Sequence, residues 1–193
     1  SILPNAQMAE PEYMAKFGMV TIEPSIVNMH GSLSDSEHAV LEKQELVIST
    51  NTMPQEDWVK ARALAWAVNF MYFNKVFQIP IIVFHKLTDV SYKAVFESFM
   101  TAKIDALPIL KEIRDFFIEK AKDITNGGEE YCLSKEYLDI FWPPDELMLI
   151  KLVYDKKIDY PDAAEDLCIQ MRDNPGTRVI LLCGTGTGML IMA

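Results

Sequence analysis

The feature that most constrains the fold is residues 42–73, where a short strand pattern runs directly into a long apolar helix pattern. The strand pattern is the apolar run 46–48, and a polar turn ends it. Thr52 and Gln55 have capping-box spacing, and apolar side chains then recur at helical spacing. In the second half of this helix pattern only Asn69 is polar. Because a helix that is apolar on almost all sides belongs inside a core, we expect this helix at the centre of the protein.

Other helix and strand patterns lie on both sides of this stretch. A short helix is predicted from Pro11 and should end at Gly18, and a strand should follow it until Pro24. Later helix patterns cover residues 89–103, 107–125, 145–156 and 161–172, and residues 178–183 have a strand pattern. Either Asp89 or Ser91 can cap the first of these helices. Residues 81–87 suit a strand by length and a helix by their neighbours, so both remain open. The predicted fold class is α+β, mainly α, with short N-terminal β segments followed by a helical bundle.

The composition is typical of a packed globular chain, with 193 residues of which 50% are hydrophobic and 24% charged. A net charge of −10 argues against a nucleic-acid surface and against binding to anionic membranes. The helix pattern after residue 54 is too short and too well capped for a membrane span. Cys132, Cys168 and Cys183 lie too far apart for a zinc motif and are odd in number, so we expect reduced thiols in a cytoplasmic protein.

Two local motifs could carry chemistry. The run Gly184–Gly188, GTGTG, follows a strand pattern and resembles the first glycine loop of Rossmann-type methyltransferases or nucleotide binders. The helix and the acidic residue that this fingerprint requires do not follow it, so a glycine-rich tail is the simpler interpretation. His30 and His38 share a loop with several carboxylates, which could bind a metal, although a solvated polar loop is the interpretation we favour.

Arg62 stands in the otherwise apolar helix pattern, one turn after Trp58. Its guanidinium could clamp a carboxylate or a phosphate of a ligand. It could also pair with Glu56 or Asp57 inside the protein, and this is the interpretation we favour. Negative charge at those two positions is explained by the helix dipole as well. These residues by themselves form no catalytic constellation.

Two segments resemble a known family. Residues 1–18, SILPNAQMAEPEYMAKFG, resemble the barrel-closing segment of cobalamin-binding radical S-adenosylmethionine enzymes, in which a Leu-Pro-Asn turn precedes Pro-Glu-Tyr and a Lys-Phe/Tyr-Gly. Residues 45–72 resemble the next segment, with a strand, a Thr-Met turn and a Trp-bearing helix. The group includes relatives of the anaerobic magnesium-protoporphyrin monomethyl ester cyclase. The resemblance covers residues 1–100, and later it is one of pattern, as in the Phe-Trp-Pro-Pro at 141–144.

The resemblance implies a parent enzyme that uses a [4Fe–4S] cluster, S-adenosylmethionine and cobalamin. The sequence contains neither the Cys-x₃-Cys-x₂-Cys cluster motif nor the cobalamin-binding His region, so we expect the chain alone to bind none of them and not to be catalytic. Residues 1–50 would then be the remnant of a barrel-closing strand and loop, and residues 51–193 a helical C-terminal domain. The expected partners are the upstream barrel and cobalamin domains of the parent chain.

The resemblance also implies roles for individual residues. Asn5 would lie near the cofactor at the mouth of the barrel, where the strands of a barrel usually place the site. Thr50, Thr52, Trp58 and Arg62 would lie on the substrate side.

Two alternatives from other functional classes remain open. The chain could be a stand-alone helical interaction module, which would dimerise through an exposed apolar face. It could also bind a nucleotide or S-adenosylmethionine through Gly184–Gly188. Only this last alternative predicts that S-adenosylmethionine raises the melting temperature of the isolated chain.

Overall fold

The computed structural model of the protein describes residues 1–33 and 42–155. Within these residues it contains six α-helices and two antiparallel strand pairs, which confirms the α+β, mainly α fold class. The helices are α1 (Pro11–Phe17), α2 (Gln55–Val68), α3 (Gln78–Thr88), α4 (Tyr92–Thr101), α5 (Pro108–Thr125) and α6 (Pro144–Tyr154). The strands are β1 (Val20–Ile22), β2 (Leu46–Ser49), β3 (Cys132–Ser134) and β4 (Ile140–Trp142). The helix and strand predicted after residue 160 lie outside the described residues.

Helix α2 is the centre of the core, as its apolar pattern predicts. It continues beyond its last residue as a π-helical segment, Asn69–Phe73. Ala63, Ala67 and Phe70 are fully buried on the face that meets α5. The small alanine side chains let α5 approach closely, and the ring of Phe117 on α5 lies 6.0 Å from that of Phe70 in an edge-to-face arrangement. The tight packing of α2 against α5 therefore holds the two longest α-helices of the described chain together.

The start of α2 differs from the predicted capping box. Neither Thr52 nor Gln55 forms that box, because Pro54 is the N-cap residue and no side chain accepts a bond from the helix start. The hydroxyl of Thr50 accepts bonds from the N–H groups of Thr52 (3.3 Å) and Met53 (3.1 Å) instead. The polar turn thus satisfies its own backbone before the helix begins, which is the usual competition between local side-chain bonds and helix caps.

The first strand pair lies beside α2. Strand β1 is antiparallel to β2, with an irregularity in the register between Val20 and Thr21. On β2 the side chains of Leu46 and Ile48 are buried and join the same hydrophobic cluster as α2 and α5. The N–H of Ile2 donates to the carbonyl of Glu45, so the first residues of the chain also attach to this end of β2.

Residues 81–87 are helical, which decides between the two alternatives left open by their sequence. They belong to α3, whose axis is bent by 93° from that of α2 and its π-helical extension. No single helix in the described part of the chain has the length and apolar character to cross a bilayer; α2 and α3 meet that test only together, as this bent pair. The next helix, α4, begins as predicted, because the Ser91 hydroxyl accepts a bond from the N–H of Ala94.

The hairpin of β3 and β4 was not predicted from the sequence. Its strands pair from Cys132 opposite Trp142 to Ser134 opposite Ile140. The indole N–H of Trp142 donates to the carbonyl of Tyr137 (2.8 Å), so the hairpin loop folds back onto its own strand. Tyr137, Trp142 and Leu147 form a second, smaller hydrophobic cluster beneath α6.

The N-terminal residues are tied to the segment that follows α5. Ser25 donates from its N–H to Oε2 of Glu129 (2.6 Å) and from its hydroxyl to Oε1 of the same carboxylate (2.9 Å). The side-chain amide of Gln44 donates to Glu130 at 3.3 Å. Two neighbouring glutamates therefore fix the position of the N-terminal strands against the helices.

Candidate functional site

A cleft of about 830 Å³ opens between α2, α4 and α5. This volume lies within the range of about 300–1,000 Å³ that is usual for small-molecule sites. Its lining residues are Gln55, Glu56, Val59, Lys60, Ala61, Leu64, Glu97, Met100, Thr101, Ile118, Lys122, Thr125 and Asn126. The cleft is therefore a candidate ligand site in the described part of the chain.

The floor of the cleft is apolar. It consists of Val59 and Leu64 from α2, Met100 from α4 and Ile118 from α5. Val59 is buried, whereas the other three are only partly covered by the protein. Partly covered aliphatic and thioether side chains at the bottom of a concave surface offer a ligand apolar contact area.

The rim of the cleft is charged, and most of its charges are paired. Lys60 lies 2.9 Å from Asp57, and this hydrogen bond, with the attraction of the same carboxylate, raises the pKa of Lys60. Lys122 lies 3.4 Å from Glu119, and Glu97 lies 3.7 Å from Lys93.

Three other polar side chains of the rim have no such partner. Within residues 1–33 and 42–155, the side chains of Gln55, Glu56 and Asn126 make neither a hydrogen bond nor an ion pair. Glu56 and Gln55 belong to the first turn of α2, and Asn126 is the residue at which α5 ends. The edge of the cleft thus holds one carboxylate and two amides that make no hydrogen bond among the described residues, and the charge of this carboxylate contributes to the raised pKa of Lys60.

Of the residues expected at a site from the sequence, Asn5, Thr50 and Thr52 lie in turns. Asn5 is exposed and has a φ of 70°, a left-handed conformation that asparagine tolerates better than most residues. The hydroxyls of Thr50 and Thr52 are 3.4 Å apart in the turn before α2. None of the three lines the cleft.

Trp58 and Arg62 lie on other faces of α2. Trp58 is 9% exposed and belongs to the main core. The guanidinium of Arg62 lies 5.0 Å from the ring of Trp66, and its Nη2 donates to Oε2 of Glu130 at 2.5 Å.

The favoured pairing of Arg62 with Glu56 or Asp57 is wrong, since its partner is Glu130. On a helix, side chains meet at spacings of three and four residues, and neither Glu56 nor Asp57 stands at such a spacing from Arg62. The Nε atom of Arg62 is buried and has no acceptor in the described part of the chain.

A buried carboxylate lies near this ion pair. Asp145, at the start of α6, is 6% exposed and accepts a hydrogen bond from the side-chain amide of Asn74 at 3.0 Å. Burial raises the pKa of Asp145, while the bonds from its backbone N–H and from Asn74 lower it, and the charge of Arg62 also acts in that direction. The net change is a raised pKa.

The histidines do not form a metal centre in the described residues. No group of three or more His, Cys, Asp or Glu side chains there is arranged to hold a metal ion. His30 pairs with Glu146 at 2.6 Å and packs edge-on against Trp142, while His38 lies outside the described residues. His85 donates from Nδ1 to the carbonyl of Val90 at 2.8 Å.

Sequence reasoning missed the cleft because the apolar pattern of α2 does not distinguish its faces. The face of Val59 and Leu64 points to the gap between α4 and α5, and only the positions of those helices create the cavity.

Comparison with known proteins adds one relative for part of the chain. A segment of 71 residues is 32% identical to the cobalamin-dependent radical SAM methyltransferase TokK of Streptomyces tokunonensis. The chain contains a region related to such an enzyme. The matched segment is 37% of this chain and 10% of the length of that methyltransferase.

A second comparison concerns the C-terminal end of the chain. Residues 147–193 match the family model of Ribose/Galactose Isomerase. That range includes Gly184–Gly188, and all of it after residue 155 lies outside the described residues. The two matches therefore point to different protein families.

Proposed function

We propose that this chain is a substrate-side accessory region of a cobalamin-dependent radical S-adenosylmethionine enzyme and is not catalytic by itself. The observation that carries this proposal is the 32% identity to the methyltransferase TokK over 71 residues. The barrel and cobalamin domains of a parent chain would be its partners, and they would supply the [4Fe–4S] cluster, S-adenosylmethionine and cobalamin. Residues 1–50 would close the barrel and residues 51–193 would form the C-terminal domain.

The described residues do not fit an iron–sulfur cluster of their own. Such a cluster is held by three or four thiolates, and Cys132 is the one cysteine within residues 1–33 and 42–155. Burial raises the pKa of its thiol to about 11, which disfavours the thiolate that a metal needs. The chain's own part in this proposal is therefore to shape and cover a pocket.

The proposed site residues divide into three groups by their surroundings. Asn5 and Thr52 are exposed and free to meet another domain or a substrate. Trp58 and Arg62 are held inside the described fold, so we assign them the positioning of α2 and of the turn before it. Thr50 already uses its hydroxyl to order that turn.

The test begins with the nucleotide sequence upstream of the codon for Ser1. An open reading frame that continues into a barrel with a Cys-x₃-Cys-x₂-Cys motif supports the proposal. A stop codon followed by a ribosome-binding site contradicts it. In the longer protein, Asn5→Ala and Thr50→Ala should each reduce turnover at least about tenfold, the effect expected from a loss of about 1.4 kcal/mol of transition-state stabilisation. The control is Gln7→Ala, which alters another exposed side chain next to the same turn.

A second candidate function is a stand-alone interaction module that dimerises. It is favoured by the exposed apolar stripe of Ile79, Val83 and Leu87, spaced by one helical turn on α3, with Leu87 80% exposed. Sedimentation of the chain should then show a dimer that Leu87→Glu converts to a monomer. Glu97→Gln on α4 serves as the control, and a wild-type monomer at all accessible concentrations contradicts this candidate.

A third candidate rests on the match of residues 147–193 to Ribose/Galactose Isomerase. It predicts that the chain isomerises ribose or galactose and that Gly186→Val abolishes the activity. The glycine loop suggested above as an S-adenosylmethionine site makes a different prediction, namely a ligand-induced rise in melting temperature. Measuring isomerase activity and the melting temperature with S-adenosylmethionine on the full chain separates the two candidates. If the chain neither isomerises the sugars nor is stabilised by S-adenosylmethionine, both candidates are excluded.

A further inference from the structure

The cleft between α2, α4 and α5 has a polarity that selects among ligands. Its floor of Leu64, Met100 and Ile118 suits a hydrocarbon body. Its volume of about 830 Å³ is large enough for a small molecule. None of this depends on the similarity to the methyltransferase or to the isomerase, because the whole lining lies in the described helices and their ends.

The charge balance of the rim is negative. The ammonium groups of Lys60 and Lys122 are each matched by a carboxylate outside the lining, those of Asp57 and Glu119. Glu97 is matched by Lys93. Among these described side chains four carboxylates stand against three ammonium groups, and Glu56 is the carboxylate that makes no ion pair of its own. Its negative charge also contributes to the raised pKa of Lys60.

The two amides of the rim add hydrogen-bonding groups beside this charge. The side-chain oxygens of Gln55 and Asn126 can each accept a hydrogen bond, as can the two oxygens of Glu56. An ammonium group has three donors and no acceptor, so it matches the carboxylate of Glu56, whereas the amides can also donate and do not discriminate between head groups. A carboxylate ligand would face Glu56 with like charge instead.

We propose that this cleft binds a small amphipathic amine, with its hydrocarbon body on the apolar floor and its ammonium group at Glu56. Apolar contact supplies most of the affinity, because the carboxylate is exposed and an exposed ion pair contributes little. The carboxylate supplies selectivity for a cationic head group over a neutral or anionic one.

The experiment measures the binding of octylamine, octanol and octanoate to the full chain by ligand-observed NMR, each below its micelle concentration. The expected order of affinity is octylamine, then octanol, then octanoate. Glu56→Gln should weaken octylamine about two- to fivefold and leave octanol unchanged, the effect of one exposed ion pair. Glu12→Gln, which removes an exposed carboxylate on α1, controls for the overall negative charge and should change none of the affinities.

The floor is tested with a second pair of variants. Met100→Gln, at a partly exposed position, should weaken all three ligands by a similar factor, while circular dichroism verifies that it is folded. Leu133→Gln, at an exposed position on β3 outside the lining, is its control. Octanoate binding as tightly as octylamine, an unchanged preference in Glu56→Gln, or no binding by any of the three compounds would overturn the proposal.

Discussion

The guanidinium of Arg62 and the carboxylate of Glu130 lie 2.5 Å apart and join the central helix to the segment after α5. The arginine side chain is 36% exposed and the glutamate 16% exposed, so water screens the pair only in part. The second oxygen of Glu130 accepts a bond from Gln44. One carboxylate thus connects the residues before β2, helix α2 and the chain beyond α5.

Replacing Glu130 with glutamine should lower the free energy of unfolding by about 1–2 kcal/mol. Hydrogen bonds to charged groups contribute about 1.5–3 kcal/mol, and the exposure of Arg62 reduces this value. Urea denaturation gives the measurement. The matched control is Asp57→Asn, which breaks the exposed pair with Lys60 and should change stability by less than about 1 kcal/mol. Equal losses in the two variants would contradict the assigned role of the Arg62 pair.

Gly18 should not tolerate a side chain. It ends α1 with a φ of 56°, and a Cβ atom there would lie 2.0 Å from Oδ1 of Asn51. Gly18→Ala should therefore reduce the free energy of unfolding by more than the roughly 1 kcal/mol expected from the left-handed backbone alone.

Two further variants separate the steric part of that loss from the backbone part. Gly127 also has a positive φ, of 94°, but a Cβ there meets no atom within 4 Å, so Gly127→Ala should show only the backbone effect. Asn51→Ala, added to Gly18→Ala, should restore part of the lost stability in thermal denaturation. An equal loss for both glycines would show that the contact with Asn51 is unimportant.

The buried carboxyl of Asp145 should give the protein a distinct pH dependence. Burial raises its pKa, so the folded state keeps this proton to a higher pH than the unfolded chain does. Between the ordinary unfolded pKa, about 3.9, and the raised folded pKa, the contribution of Asp145 to stability falls as the pH rises. Above the folded pKa the loss is constant.

Asp145→Asn removes this titration and isolates it from the other carboxylates. The wild-type protein should gain stability relative to the variant as the pH is lowered through the folded pKa of Asp145. Urea denaturation of both proteins from pH 3 to pH 8 measures the difference. If the stability of the wild-type protein relative to the variant decreases as the pH falls, the folded state favours the ionised carboxyl instead.

Cys132 should react slowly in the folded protein. Burial raises its pKa to about 11, and only the thiolate reacts with alkylating agents. With Cys168 and Cys183 replaced by serine, alkylation by iodoacetamide at pH 8 should be on the order of 10²-fold slower than for free cysteine, whose pKa is about 8.5. The rate should rise about tenfold per pH unit towards pH 11 and recover in urea. Labelling as fast as that of free cysteine would show an accessible thiolate.

The sequence predicts those parts of the fold that depend on neighbouring residues. Gly18 ends α1 and Ser91 caps α4, because both signals act within one turn of a helix. The hairpin around Trp142 escaped prediction because its strands are short and Leu133 on them is exposed. Local pattern carries no information on which distant segment supplies a partner, so the pairing of Arg62 was also missed.

The cleft escaped prediction for the same reason. Its lining brings together side chains from three helices that are far apart in sequence, such as Leu64, Met100 and Ile118. Each of these residues fits an ordinary core pattern in its own helix. The apolar pattern thus predicts that they are partly or wholly buried, whereas the space between them depends on how the helices are arranged.

The bonds from Ser25 to Glu129 and from Arg62 to Glu130 can form only late while the chain is being synthesised. Ser25 precedes its partner Glu129 by 104 residues, and Arg62 precedes Glu130 by 68. At about 5–20 residues per second, a ribosome needs roughly 5–20 s to make the chain between Ser25 and Glu129. The two N-terminal strands can pair with each other as soon as β2 is made, but the bonds from Ser25 and Arg62 must wait for Glu129 and Glu130. The strands are therefore anchored to the helices only late in synthesis.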